Sequence, residues 1–264
     1  MSTIRFLSEN IVDGSVALTS GTADSGFEIE NLLDLNKHVQ FKAAGDASTI
    51  LVIDIDLGAA RTVDSFIMGN HGYNDTGLGI KLAYDDAGVG DYASLTYRLG
   101  SAVAYHDYVA ANAVNWYESI TSTSARYWRI YIEPIGAGNT NEIGNIFLGA
   151  LWEHANNPEF GVREGYKYLT EMGKTKAGIV HSQLNNSNAQ RMWSYNYQYI
   201  IASEKTNFEN WLDDIKGNQQ LSHYPFFLID CEDNIYYVRL DGLVEFQEQA
   251  YQVWQTTINL EEEI

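Results

Sequence analysis

Between residues 50 and 73 the chain alternates. Leu51, Ile53, Ile55 and Leu57 interleave with Val52, Asp54 and Asp56, a period of two that predicts a half-buried strand. Asp56-Leu57-Gly58 predicts a turn, after which Val63, Phe66 and Met68 open a second strand ending in polar Asn70-His71-Gly72. These two strands are expected at the centre of a β-sandwich. Ahead of them, Ile4–Leu7 and Ser15–Leu18 read as short strands. Residues 27–36 have no clean period and read as an ordered loop, with Asn31 and Asp34 bonding their own backbone and Leu32 and Leu33 turned inward. Strands are further predicted at Gly79–Tyr84, Tyr97–Leu99, Val103–Tyr108, Val114–Ile120, Arg126–Glu133 and within Glu142–Trp152. About eight to ten short strands separated by turn signals, with no convincing helix, predict a sandwich or barrel.

The pattern changes after Asn156-Asn157-Pro158, so domains are expected at 1–155 and 156–264. Tyr166–Met172 and Ala177–Ser182 predict strands. From Arg191 to Ile201 the alternation is strict: Trp193, Tyr195, Tyr197, Tyr199 and Ile201 are expected on one face, and Ser194, Asn196 and Gln198 on the other. Phe208, Trp211, Leu212 and Ile215 then fall at i, i+3, i+4 and i+7, the spacing of an amphipathic helix over about 204–216. Ser203 is its expected cap, and Gly217 its expected stop. Pro225–Asp230 and Ile235–Leu240 form a predicted hairpin across the turn at Cys231–Asn234. A last strand carries Trp254, Thr256, Ile258 and Leu260 on one face. The overall expectation is an all-β protein whose second part has one flanking helix. Trp193, Tyr195, Trp211, Phe226, Phe227 and Trp254 are its candidate packing and assembly residues.

Composition narrows the function. Hydrophobic residues make up 45% of 264, enough for packed cores. The net charge of −19, from 35 acidic against 16 basic residues, repels phosphate backbones, so specific nucleic-acid binding is not expected. The single Cys231 excludes an internal disulfide. No secretory leader and no apolar run long enough to span a membrane are visible, so the protein is expected to be made in the cytoplasm without inserting into a membrane. No nucleophile elbow, zinc-protease helix, P-loop or dinucleotide fingerprint occurs, and the six histidines lack ligand spacing. Asp54 and Asp56 read as solvated strand-end charges rather than a hydrolytic pair. No catalytic residue, metal ligand or cofactor is assigned.

Three pieces in order carry a family resemblance: Glu30-Asn31-Leu32-Leu33-Asp34, then Ile53–Gly58 with Val63 and Gly69-Asn70-His71, then Arg126–Ile130 with Glu142–Gly149. Together they resemble the galactose-binding-like, discoidin-type jelly roll, with Phe41 near the place where that pattern has a Trp. In that family ligands meet loops at one end of the sandwich, which implies a candidate glycan site at Asn36, His38, His71, Tyr73 and Asn74. The family also implies a structural calcium near Asp34, but no dense set of oxygen ligands supports one here.

The second part, from the aromatic strand through the Pro225-Phe226-Phe227-Leu228 and Tyr237-Val238-Arg239-Leu240 hairpin to Leu260-Glu261-Glu262-Glu263, resembles the tail-tube and distal-tail modules of long-tailed bacteriophages. That resemblance implies a virion protein of the tail tip. It would form a trimeric or hexameric ring beside tail-tube and hub proteins, with DNA passing unbound and the jelly roll reaching a host-surface glycan. The alternative is a carbohydrate-binding module whose second part is only a support.

Overall fold

The structure, a computed structural model, describes residues 3–8, 10–12, 15–36, 38–44, 50–72, 80–85, 115–132, 142–158, 162–168, 170–174, 180–184, 189–216 and 224–263. These residues are mostly β, with one α-helix among them. Two compact units result: Glu9–Leu151, and Met1–Ser8 together with Trp152–Ile264. The expected division at 155/156 is therefore corrected at both ends. Strand β1 (Arg5–Leu7) pairs antiparallel with strands from the C-terminal half of the chain. The jelly roll is an insertion in sequence, not an N-terminal domain.

The inserted unit contains β2 (Ser15–Ser20), a 3-10 turn at Ile29–Leu33, β3 (Phe41–Lys42), β4 (Leu51–Gly69), β5 (Ile80–Asp85), β6 (Trp116–Ile132), β7 (Glu142–Ile143) and β8 (Asn145–Gly149). A five-stranded sheet has the order β2-β4-β6-β5, with β8 on the later half of β4, and β3 pairs with β7. Leu32, Phe41, Ile53, Ile55, Phe66, Trp128, Ile143 and Leu148 belong to one buried core drawn from both sheets and the 3-10 turn. The predicted strands at Tyr97–Leu99 and Val103–Tyr108 lie outside the described residues.

The turn predicted at Asp56-Leu57-Gly58 does not reverse the chain. Both halves of β4 pair with the same strand, Asp56 opposite Tyr127 and Arg61 opposite Ala125, with the extra residues absorbed in a bulge. Gly58 takes φ +72° there and donates its N–H to Asp56 Oδ1 at 2.8 Å. A bulge keeps the ladder bonds on either side, which a hairpin would have replaced. The strands predicted at Val114–Ile120 and Arg126–Glu133 likewise merge into β6.

Asp54 is buried rather than solvated. It faces Arg129 across the ladder and accepts Nε at 2.5 Å and Nη2 at 2.7 Å. Arg126 grips Asp56 in the same two-bond manner, at 2.7 and 2.8 Å. For the buried pair, removing one partner strands a charge, a loss of about 3–5 kcal/mol.

The second unit adds β9 (Trp152–Glu153), β10 (Arg163–Lys167), β11 (Thr170–Lys174), β12 (Val180–Leu184), β13 (Gln190–Ile201), α1 (Ala202–Lys216), β14 (Phe226–Ile229), β15 (Ile235–Leu240), β16 (Gln247–Ala250) and β17 (Val253–Glu262). Its main sheet has eight strands in the order β10-β13-β17-β15-β14-β1-β9, with β16 also on β17, while β11 and β12 form a separate hairpin. Helix α1 buries Phe208, Trp211, Leu212 and Ile215, the stripe its periodicity predicts. Trp211 stacks on Trp152 at 4.6 Å and 14°, and Phe6 lies 5.0 Å from Trp211 and 5.9 Å from Phe226. Ser203 falls inside the helix instead of capping it. Glu204 reaches back to accept the Ile201 N–H at 3.0 Å, a carboxylate at the positive helix end.

The strict alternation expected for β13 breaks near its end. Trp193, Tyr195 and Tyr197 are buried, but the next buried residue is Ile200, while Tyr199 is 74% and Ile201 51% exposed. The register shifts by one between Tyr197 opposite Thr256 and Ile200 opposite Trp254. One extra residue reverses every later side chain.

Phe6 ties the two ends of the chain into one core. Phe6→Ala is expected to cost about 3–5 kcal/mol, read by urea denaturation through tryptophan fluorescence. A chain of residues 152–264 alone should lack a cooperative transition that a covalently supplied 1–8 segment restores.

Candidate functional site

At one end of the inserted unit three backbone segments are bonded together. Asn70 adopts φ +48°, tolerable for asparagine, and turns the end of β4. Gly72 N then donates to Glu142 O at 2.9 Å, and Gly144 N donates to the Gly69 and Asn70 carbonyls at 3.0 and 3.1 Å. Gln40 Nε2 reaches Asn70 O at 3.5 Å, joining the loop before β3 to this turn. Lys42 bonds Glu142 at 2.7 Å, and the carboxylate raises the lysine pKa above its ordinary value.

The loop that precedes β3 is shaped by its own side chains. Asp34 Oδ1 accepts the Asn36 N–H at 2.7 Å, and Asn36 Oδ1 accepts the His38 N–H at 3.1 Å. Val39 N closes onto Asn36 O at 2.8 Å, and Asn31 Nδ2 holds Gln40 O at 2.8 Å. Successive Asx turns fix the backbone while Asn36 and His38 remain exposed. Such a loop pays little ordering entropy when it meets a ligand.

Of the residues expected here, Asn36 and His38 lie in the loop whose Gln40 reaches the carbonyl of Asn70, the neighbour of His71. Tyr73 and Asn74 lie outside the described residues. His71 is corrected. It is 9% exposed, because the Asn70 turn and the Gly72–Glu142 bond draw it in from the surface. Asn145, only 1% exposed at the start of β8, has no hydrogen-bond partner for its amide among the described residues. Gln40, Lys42 and Glu142 complete the frame. Glu142 opens a piece of the family pattern, but nothing local in the sequence marks Gln40 or Lys42, whose partners are 30 and 100 residues away.

The assembly candidates of the second unit are core residues. Trp193, Tyr195, Trp211, Phe226 and Phe227 are all buried within this one chain, and Trp254 is half-buried beneath Lys205, 5.7 Å from its ring. They pack this unit's own sheet, so they are not available as subunit contacts. Among the described residues, the exposed aromatic side chains are Phe27, Tyr166, Tyr168, Tyr199 and Tyr251. Among the described residues no group of three or more histidine, cysteine or carboxylate side chains is placed to hold a metal, and no helix is long and apolar enough to cross a membrane.

No family model matches the chain, and no curated protein matches it. Solved structures similar to part of the chain include three whose descriptions name binding modules. Chitosan-binding module 1 from a chitosanase/glucanase of Paenibacillus sp. IK-5 is 15% identical, covering 53% of this chain and 98% of that one, with a TM-score of 0.41. The CBM32 of AlyQ, in complex with 4,5-unsaturated mannuronic acid, is 25% identical over 51% and 92%, with a TM-score of 0.37. CpGH89CBM32-5 from Clostridium perfringens, in complex with GalNAc-beta-1,3-galactose, is 14% identical over 55% and 99%, with a TM-score of 0.41. All three scores lie below 0.5.

Burial lowers the His71 pKa from 6.5 to about 4. An unfolded histidine takes up its proton near 6.5, and the folded one only near 4. Stability is therefore complete above pH 6.5 and declines as the pH falls toward 4, by about 3 kcal/mol for this group. Urea denaturation across this range should show that decline, and His71→Gln should flatten it.

Proposed function

We propose that the protein is a non-catalytic glycan-binding protein, with the inserted jelly roll as its recognition unit. The observation that carries this reading is the pre-shaped loop at Asn36 and His38. Two consecutive side-chain-to-backbone turns hold it, and it presents an amide and an imidazole outward. A hydroxyl-rich ring offers such groups donors and acceptors together, and the rigid loop avoids the entropy of closing around them. The resemblance to the discoidin-type jelly roll, whose ligands meet loops at one end of the sandwich, supports this reading. A glycan array on the full chain tests this. Binding to at least one class of glycan should drop at least tenfold in the Asn36→Ala/His38→Ala variant; a profile unchanged for every glycan would exclude this loop as a site.

A second reading concerns assembly, and the outer edge of the large sheet favours it. Strand β10 ends the strand order, with no partner beyond it among the described residues, and Val162, Tyr166 and Tyr168 on and beside it are 43%, 59% and 63% exposed. An open, partly apolar edge is a template for another strand. A second copy pairing there would build the ring expected of a phage tail-tip protein, located in the virion beside tail-tube and hub proteins. Light scattering should then give a trimeric or hexameric mass that falls to a monomer in Tyr166→Lys/Tyr168→Lys. A monomeric native protein would leave the edge without this role.

A further inference from the structure

On the second unit, away from any residue assigned above, the β13 bulge lies opposite Gln255, which lines a polar cleft. Gln198 and Tyr199 together oppose Gln255 of β17, because the register passes from Tyr197–Thr256 to Ile200–Trp254. Tyr199 holds φ +58° and is 74% exposed. A left-handed backbone is costly for a residue bearing a Cβ, and a large aromatic ring in solvent gains nothing from packing. Bulges commonly re-aim a side chain beside a functional site.

Gln255 also lines a cleft of about 250 Å³ with Leu243, Glu245, Gln247, Thr257 and Asn259 among its walls. Gln255 Nε2 donates to Gln247 Oε1 at 2.9 Å across the β16–β17 ladder. That bond consumes one amide hydrogen and one carbonyl lone pair, so the pair still presents an N–H donor and a C=O acceptor side by side. Reversing both amides gives the same result. The Thr256 hydroxyl is committed to Glu245 O at 2.8 Å and serves as wall. Leu243, 76% exposed, forms an apolar lip.

We propose that this cleft is a saccharide-binding site separate from the jelly-roll loops, with Tyr199 as the stacking surface and Gln247 and Gln255 as readers of neighbouring hydroxyls. A sugar ring has an apolar C–H face for the tyrosine and paired hydroxyls that both donate and accept, matching the amide pair. The cleft is small for a drug-sized molecule and suits a single ring. Among the described residues its only charged wall residue is Glu245, which selects neutral or amine-bearing sugars and repels uronic and sialic acids.

The test is a glycan array on the full chain in an Asn36→Ala/His38→Ala background, which separates this site from the loop site. Binding to neutral hexose or N-acetylhexosamine glycans should persist. It should drop at least tenfold with Tyr199→Asn, which tolerates the backbone but lacks the ring, and with Gln255→Ala, and recover with Tyr199→Phe. Urea denaturation of each variant confirms that it is folded. Absence of neutral-glycan binding in that background, or binding that neither substitution weakens, would overturn the proposal. So would displacement of the glycan by an extended peptide whose binding ignores Tyr199 and follows the edge of β16.

Discussion

The second unit depends on a strand contributed from the other end of the chain. Arg5–Leu7 lies between Phe226–Ile229 and Trp152–Glu153, and Phe6 enters the aromatic core beside Trp211 and Phe226. Without that strand the sheet would end at β14, leaving the unpaired edge of a hydrophobic strand and a core short of one ring. The helix shares this dependence, because Trp211 packs on Phe6 and Trp152 together. A long loop-closure is required before any of these contacts form, and its entropy is offset only when the ring cluster completes.

Inside the inserted unit, one long ladder plays the corresponding part. Strands β4 and β6 run against each other along almost their whole length, and the bend at Gly58 lets the same pair continue across a change of direction. The Asp54–Arg129 clamp lies within that ladder, where a shifted register would leave both charges buried and unmatched. The same frame carries the loops. The turn at Asn70 follows directly from the end of β4, and it is received by Glu142 of β7 and by Gly144 just after it.

The two proposed sites differ in how they are held. The Asn36–His38 loop is made by local side-chain-to-backbone bonds, so its shape is a short-range property of Asp34, Asn36 and their neighbours. At the second site Tyr199 is placed by a strand-register shift between segments more than fifty residues apart, while the cleft itself is lined by residues of 243–259. The first is a preformed surface loop. The second is a feature of the sheet, placed beside the one strand, β17, that joins β13, β15 and β16.

The sequence by itself determined whatever depends on neighbours a few residues away. The period of two marked Leu51–Leu57 and Trp193–Tyr197 as strands, the i, i+3, i+4, i+7 spacing placed Phe208–Ile215 on one buried helix face, and Asn31 and Asp34 marked the ordered loop at 27–36. Tertiary structure decided the rest, because pairing partners and burial are set by contacts across long stretches of chain. It assigned residues 5–7 to the C-terminal sheet, and it turned the Gly58 hairpin into a bend because β6 offered one partner to both halves. It buried Asp54 against Arg129 and His71 behind the Asn70 turn. It also put Tyr199 into solvent, since a single unpaired residue in a ladder reverses a face that local alternation had marked as buried.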